Sequence, residues 1–142
     1  MECSPEELGE TTWCPCSSYK SGWCDINTRD GVGAGKLNTA HVLSHSHEEP
    51  LTSSNCAAYA CSRFSTETTK EGEWYLPSYQ ELNSIYENLR KSGMISSDCV
   101  YWSSSQYYNP GDAWHKDFKK GYKYGGQDGK TMPCFVRAVH AF

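Results

Sequence analysis

The sequence predicts an α+β domain, and three observations carry that expectation. Helical periodicity is confined to the middle of the chain. The last third breaks into short alternating runs separated by glycine and turn residues. Eight cysteines are spread along an otherwise polar chain, which reads as a disulfide-stapled framework in an oxidising compartment. At 142 residues the chain is one domain by length, residues 1–142, long enough to bury a sizeable core.

Residues 1–34 are irregular and Cys-rich, with Trp13 and Trp23 as packing residues. Within "GVGAGK" a phosphate-binding loop fails on spacing. Asp30 stands where the first glycine belongs, and Leu37 follows the lysine where Ser or Thr is required, so a turn is expected. "NTAHVLSHSHEE" predicts a short polar helix. His41 and His45 share a face at i, i+4 with His47 nearby, but no Glu sits between the first two as in the metalloprotease pattern, so a polar surface is preferred to a metal site. "TSSNCAAYACSRF" predicts a helix capped by Ser53 or Ser54 and packed through Ala57, Ala60, Cys61 and Phe64. Cys56 and Cys61 lie about 140° apart on such a helix, so each is expected to tie it to another segment. "PSYQELNSIYENLRKSG" is the clearest element. Ser78 and Glu81 form a capping box, Leu82, Ile85, Tyr86 and Leu89 the buried stripe, and Gly93 the stop.

Beyond Gly93 the period changes. "CVYWSSS" reads as a strand, "NPGD" as a turn, and "AWHKDF" as a strand with Trp114 and Phe118 inward and His115 and Asp117 outward. "CFVRAVHAF" reads as one final strand. Cys99 opens the first of these strands and Cys134 the last, with no cysteine between them, and that placement predicts a Cys99–Cys134 disulfide.

The net charge is −4, which gives no reason to expect nucleic acid. Residues 112–130 carry a local +2 on a body of −6, a weak preference for an anionic partner. No stretch is long and apolar enough for a membrane span, and "MECSPEELGE" is not a secretory signal.

"WYLPSYQELNSIY", "YWSSSQYY", "AWHKDFKKG" and "FVRAVHAF", in that order, resemble a bacterial and phage family of C-type-lectin-like domains, typified by the C-terminal domain of collagen-like bacterial adhesins. "GKLNT" extends the resemblance, so that it covers residues 35–142. It implies two helices flanking a small twisted antiparallel sheet, with the termini close together. It also implies that Tyr101, Trp102, Trp114, Phe118, Val136 and Val139 are scaffold, and that residues 103–113 and 119–133 lie on an exposed binding face. Lys116 departs from the apolar residue common there. A narrower similarity is to the variable proteins of diversity-generating retroelements.

The resemblance implies a binding module for a glycan, including an anionic one, or for a surface protein. Tyrosine contact area with Ser, Gly and Asn between is the chemistry of such a surface. The candidate ligand residues are Tyr107, Tyr108, Asn109, Asp112, His115, Asp117, Lys119, Tyr122, Tyr124 and Lys130, chosen by strand parity and turn position. No cofactor is expected, and no calcium, because the sugar-binding triplets of animal lectins are absent. An enzyme of the formylglycine-generating kind, on the same fold, is the alternative. It would need a reactive cysteine pair, and no acid–base spacing stands out. A structural surface subunit is the third reading.

Overall fold

The computed structural model describes residues 1–15, 25–47, 49–90, 92, 99–119 and 126–141. The two ends of the chain meet in it. Strand β1 (Glu2–Cys3) pairs antiparallel with β8 (Val139–His140), Cys3 opposite Val139, and β8 pairs on its other edge with β3 (Trp74–Tyr75). Five further strands make a second sheet in the order β2 (Glu10–Thr11), β7 (Cys134–Phe135), β4 (Val100–Gln106), β5 (Asp112–Asp117) and β6 (Gly126–Gly129). Helices α1 (Gly35–Ser44), α2 (Ala57–Ser62) and α3 (Tyr79–Ile85) complete the α+β arrangement, and α3 runs on into a π-helical turn, Tyr86–Arg90.

The expected final strand is two strands. Residues 136–138 leave the larger sheet after Phe135, and the chain re-enters the smaller one at Val139. The break lets one short segment close both sheets. Val136 exchanges backbone bonds with Leu8 and Gly9, and the Ala138 carbonyl accepts from the Ser4 amide at 2.8 Å.

Strand parity divides the core. Tyr101 packs with Tyr75, Leu82, Ile85, Tyr86, Phe118 and Val139 on one side. Trp102, one residue on, packs with Trp13, Val42, Trp74, Leu76 and Val136 on the other. Three buried indoles each donate their N–H: Trp102 to the Thr11 carbonyl at 2.8 Å, Trp13 to the Ser103 carbonyl at 2.7 Å, and Trp74 to Thr69 Oγ1 at 2.7 Å. A buried indole N–H left without such a partner would cost stability.

The same parity overturns the Cys99–Cys134 pairing. β7 runs parallel to β4 with Phe135 beside Tyr101, so Cys134 projects to the Trp102 side while Cys99 projects to the Tyr101 side. The sheet stands between them. Among the described residues Cys3, Cys14, Cys56, Cys61, Cys99 and Cys134 form no disulfide with one another.

The capping box at α3 is present, with Glu81 N–H donating to Ser78 Oγ at 3.3 Å and Ser78 N–H to Glu81 Oε1 at 2.8 Å. Glu81 does more than cap. Its buried carboxylate also accepts from Gly35 N–H at 3.0 Å and Gly33 N–H at 3.3 Å. The "GVGAGK" turn therefore does hold an anion, but the anion is a side chain of the same molecule. Gly35 is required by closeness: an added Cβ would run into the Glu81 carboxylate, the Leu76 carbonyl and the Ser78 nitrogen. α1 begins at this glycine, three residues ahead of Asn38 where the predicted "NTAHVLSHSHEE" helix starts, and α2 begins after Cys56 rather than at Ser53 or Ser54.

Candidate ligand-binding groove

β4 ends in an irregular register. Trp102 faces His115, yet Gln106 faces Ala113, so the intervening serines do not follow the ladder. Ser103, Ser104 and Ser105 are fully buried, contrary to the expectation that residues 103–113 form an exposed face. Their hydroxyls are spent on anchoring. Ser103 Oγ donates to the Trp114 carbonyl at 2.8 Å, and Ser105 Oγ donates to the Arg29 carbonyl at 3.0 Å. Ser104 Oγ accepts from Asn38 Nδ2 at 3.1 Å.

The Ser105 bond, together with those of Asn38 and Gln106, fastens residues 25–30 along the end of β4. Asn38 holds Arg29 from both sides, accepting from its N–H at 2.9 Å and donating to its carbonyl at 2.7 Å. The Asn27 carbonyl lies 2.6 Å from His41 Nδ1. Gln106 N–H donates to Thr28 Oγ1 at 2.8 Å, Gln106 Oε1 accepts from Ile26 N–H at 2.9 Å, and Gln106 Nε2 donates to Asp25 Oδ1 at 2.8 Å. A loop held at so many backbone positions is pre-ordered before any ligand arrives.

Opposite this loop stand Tyr107 and Tyr108, and together they enclose a groove of about 290 Å³ lined by residues 25–30, Gln106, Tyr107 and Tyr108. Tyr108 is 85% exposed. The two tyrosines form an aromatic cluster with Trp114 and Tyr79. Tyr107 meets Trp114 edge-on at 4.6 Å between centroids, Tyr79 stacks on Trp114 at 4.7 Å, and the two tyrosine rings are 5.1 Å apart. Trp114 was expected in the core but is only partly buried, and it backs the exposed rings. Asn109 caps the turn by accepting from Gly111 N–H at 3.1 Å, and the Asp112 backbone pairs with Tyr107 at 3.0 Å.

Lys130 is misassigned by the sequence. It is fully buried beneath the groove rather than exposed on it. Its ammonium donates to Gln106 Oε1 at 2.7 Å and sits 4.5 Å from the Trp13 ring centre. Burial drives its pKa down to about 8, opposed by the negative potential of Cys14, Asp25 and Asp112. Lys116 is likewise buried, over the Tyr86 ring at 4.6 Å, which explains how a lysine occupies an inward position. Its pKa too is lowered by burial.

The other candidates separate. His115 and Asp117 do alternate away from Trp114 and Phe118, as parity requires, but that places them on the Trp102 side, with the His115 ring 6.3 Å from Trp102. Asp117 accepts from the Lys119 N–H at 2.9 Å at the far end of β5. Along an extended strand Lys119 stands roughly 20 Å from Asp112. Tyr122 and Tyr124 lie outside the described residues. The structure therefore brings together Tyr107, Tyr108, Asn109 and Asp112, and adds Asp25, Asn27, Thr28, Arg29, Asp30, Gln106 and Tyr79. Tyr79 had a sequence signal, since it opens α3 off the buried stripe. Residues 25–30 had none, because "DINTRD" has no period and its partners are distant in sequence.

Among the described residues no cluster of three or more His, Cys, Asp or Glu is arranged to hold a metal, and no helix is long and apolar enough to cross a membrane. A family model described as the Lcl C-terminal domain matches residues 7–140, a span that takes in most of the irregular N-terminal segment. No curated protein sequence matches the chain.

Proposed function

Because the chain belongs to the Lcl C-terminal domain family, we propose that it is an extracellular, non-enzymatic ligand-binding domain with a C-type-lectin-like fold, an adhesin or receptor-binding module for a glycan or a surface protein. One observation carries the reading. A pre-braced loop and two tyrosines form an open groove whose exposed side chains contribute little to the core, while the residues beneath it are fixed by part-buried hydrogen bonds. Tyrosine and tryptophan rings offer large rigid contact area to a sugar face or a protein side chain at low entropic cost. With Lys130 withdrawn into the interior, the described wall carries Asp25, Asp30 and Arg29. A neutral glycan or a protein fits those charges better than a polyanion.

The division between fixed platform and substitutable rim also suits a surface varied by a retroelement, and a template repeat beside the gene is the observation that tests it. For binding itself, the purified domain is applied to arrays of glycans and of surface proteins. Saturable binding to a member of either class, lost in the Tyr108→Ala variant, is expected. Binding to neither class, with self-assembly instead, overturns the reading in favour of a structural subunit.

A further inference from the structure

Beneath the groove, the segment bearing Trp13 is joined to the start of α2 by one backbone contact. Ala57 N–H donates to both the Thr12 and the Trp13 carbonyls, at 3.1 and 3.2 Å. The Trp13 carbonyl belongs to the peptide unit that leads into Cys14, and the Ala57 N–H to the unit that follows Cys56. In a trans peptide the next Cα lies on the same side as the oxygen, and the preceding Cα on the same side as the N–H; no peptide here is cis. The Cα atoms of Cys14 and Cys56 therefore flank a shared hydrogen bond, a separation compatible with the roughly 4.4–6.8 Å span that disulfides bridge. Both side chains are fully buried in the same apolar cluster, so they project into the same space. Among the described residues, Cys61 follows Cys56 by five residues at the other end of α2, and Cys3 packs against the Tyr101 cluster rather than the one that holds Cys14 and Cys56.

We propose that Cys14 and Cys56 are a disulfide-forming pair, closed when the domain folds in an oxidising compartment, and that the bond staples the platform under the groove to α2. Two thiols become one S–S bond by exchange with an oxidant of the disulfide class, such as oxidised glutathione. The first cysteine thiolate attacks the oxidant and releases one thiol. The second displaces the other from the mixed disulfide. The two protons given up by the cysteines are taken up by the two departing glutathione thiolates, so the oxidant ends as two thiols with no net proton release. Burial pushes the Cys56 thiol up to about 12, with the neighbouring Cys14 adding to the shift, so exchange in the closed core is slow and the bond forms as the core assembles. Trp13 N–H donates to the Lys130 carbonyl at 2.9 Å, so a staple at residue 14 restrains the lysine that supports Gln106.

The test refolds the full chain in a glutathione redox buffer, blocks remaining thiols with an alkylating agent, and digests it without reduction. Tryptic fragments 1–20 and 37–63 carry Cys14 and Cys56. They are expected as one cross-linked species, lighter by two hydrogens than their sum, with fragmentation placing the bond between Cys14 and Cys56. In the Cys56→Ala variant Cys14 is expected to become alkylated. Recovery of Cys14 bonded to Cys16 or Cys24, of Cys56 bonded elsewhere, or of both as alkylated thiols after oxidation, overturns the pairing.

Discussion

Tyr108 and Lys130 are both polar-tipped residues beside turns, yet the fold treats them oppositely. Tyr108 projects into solvent, with its ring edge-on to Trp114 at 6.1 Å between centroids. Tyr108→Ala should leave stability within about 0.5 kcal/mol of the parent, read from chemical denaturation. Lys130 fills the space between Trp13 and Gln106 as a buried cation. Its folded pKa of about 8 lies below the 10.5 of an ordinary lysine, so between those values the unfolded chain holds more protons than the folded one. The Lys130 contribution to stability is therefore constant below pH 8 and becomes more favourable as pH rises from 8 towards 10.5, by up to about 3 kcal/mol. Buried Tyr101, raised to about 12, works in the opposite direction at high pH, so the comparison must be with Lys130→Met measured in parallel. The stability difference between parent and variant should shift towards the parent across that window; a flat difference contradicts the assignment. Turn chemistry made the surface placement of Tyr108 and Asn109 legible in the sequence. They did not reveal Lys130, because a lysine next to glycine reads as solvated unless its distant ring and amide partners are known.

Among the elements, α3 was the most legible, since its capping box is local and the structure keeps it. What the sequence concealed is that the same carboxylate is shared with the turn before α1. Glu81→Ala would strand three buried or part-buried N–H groups, a loss of about 3 kcal/mol or more. Gly35→Ala would force the junction apart and should cost about 1–3 kcal/mol. Thermal or denaturant unfolding of the two variants checks both figures. If Glu81→Ala proved neutral, the carboxylate would not be what joins these elements. The strands were legible in number of runs but not in continuity. "CFVRAVHAF" alternates smoothly, yet its two halves serve different sheets, and its cysteine faces away from Cys99. A period of two specifies which residues share a face; it does not specify which neighbouring strand lies beside them.

At the scale of the whole molecule, the α+β class and the meeting of the termini follow the expectation, through the pairing of β1 with β8. Trp102, buried at 0% exposure with its N–H bonded to Thr11, belongs to the frame. Trp102→Ala should cost about 3–5 kcal/mol and abolish binding only by unfolding. The candidate groove is narrower than the residue list read from the sequence. It lies where residues 25–30 meet Tyr107 and Tyr108, because Ser105 and Gln106 hold that loop onto β4. Local patterning could not locate such a site, since each of its two walls is ordinary on its own.

The most direct test is the affinity of Tyr108→Ala and Lys119→Ala, side by side, for a ligand found on the arrays, with each variant first shown to melt as the parent does. Tyr108→Ala should weaken binding at least roughly tenfold while Lys119→Ala, at the far end of β5, stays within about twofold. Full affinity in Tyr108→Ala together with loss in Lys119→Ala would contradict the groove between residues 25–30 and the paired tyrosines as the place where ligand sits.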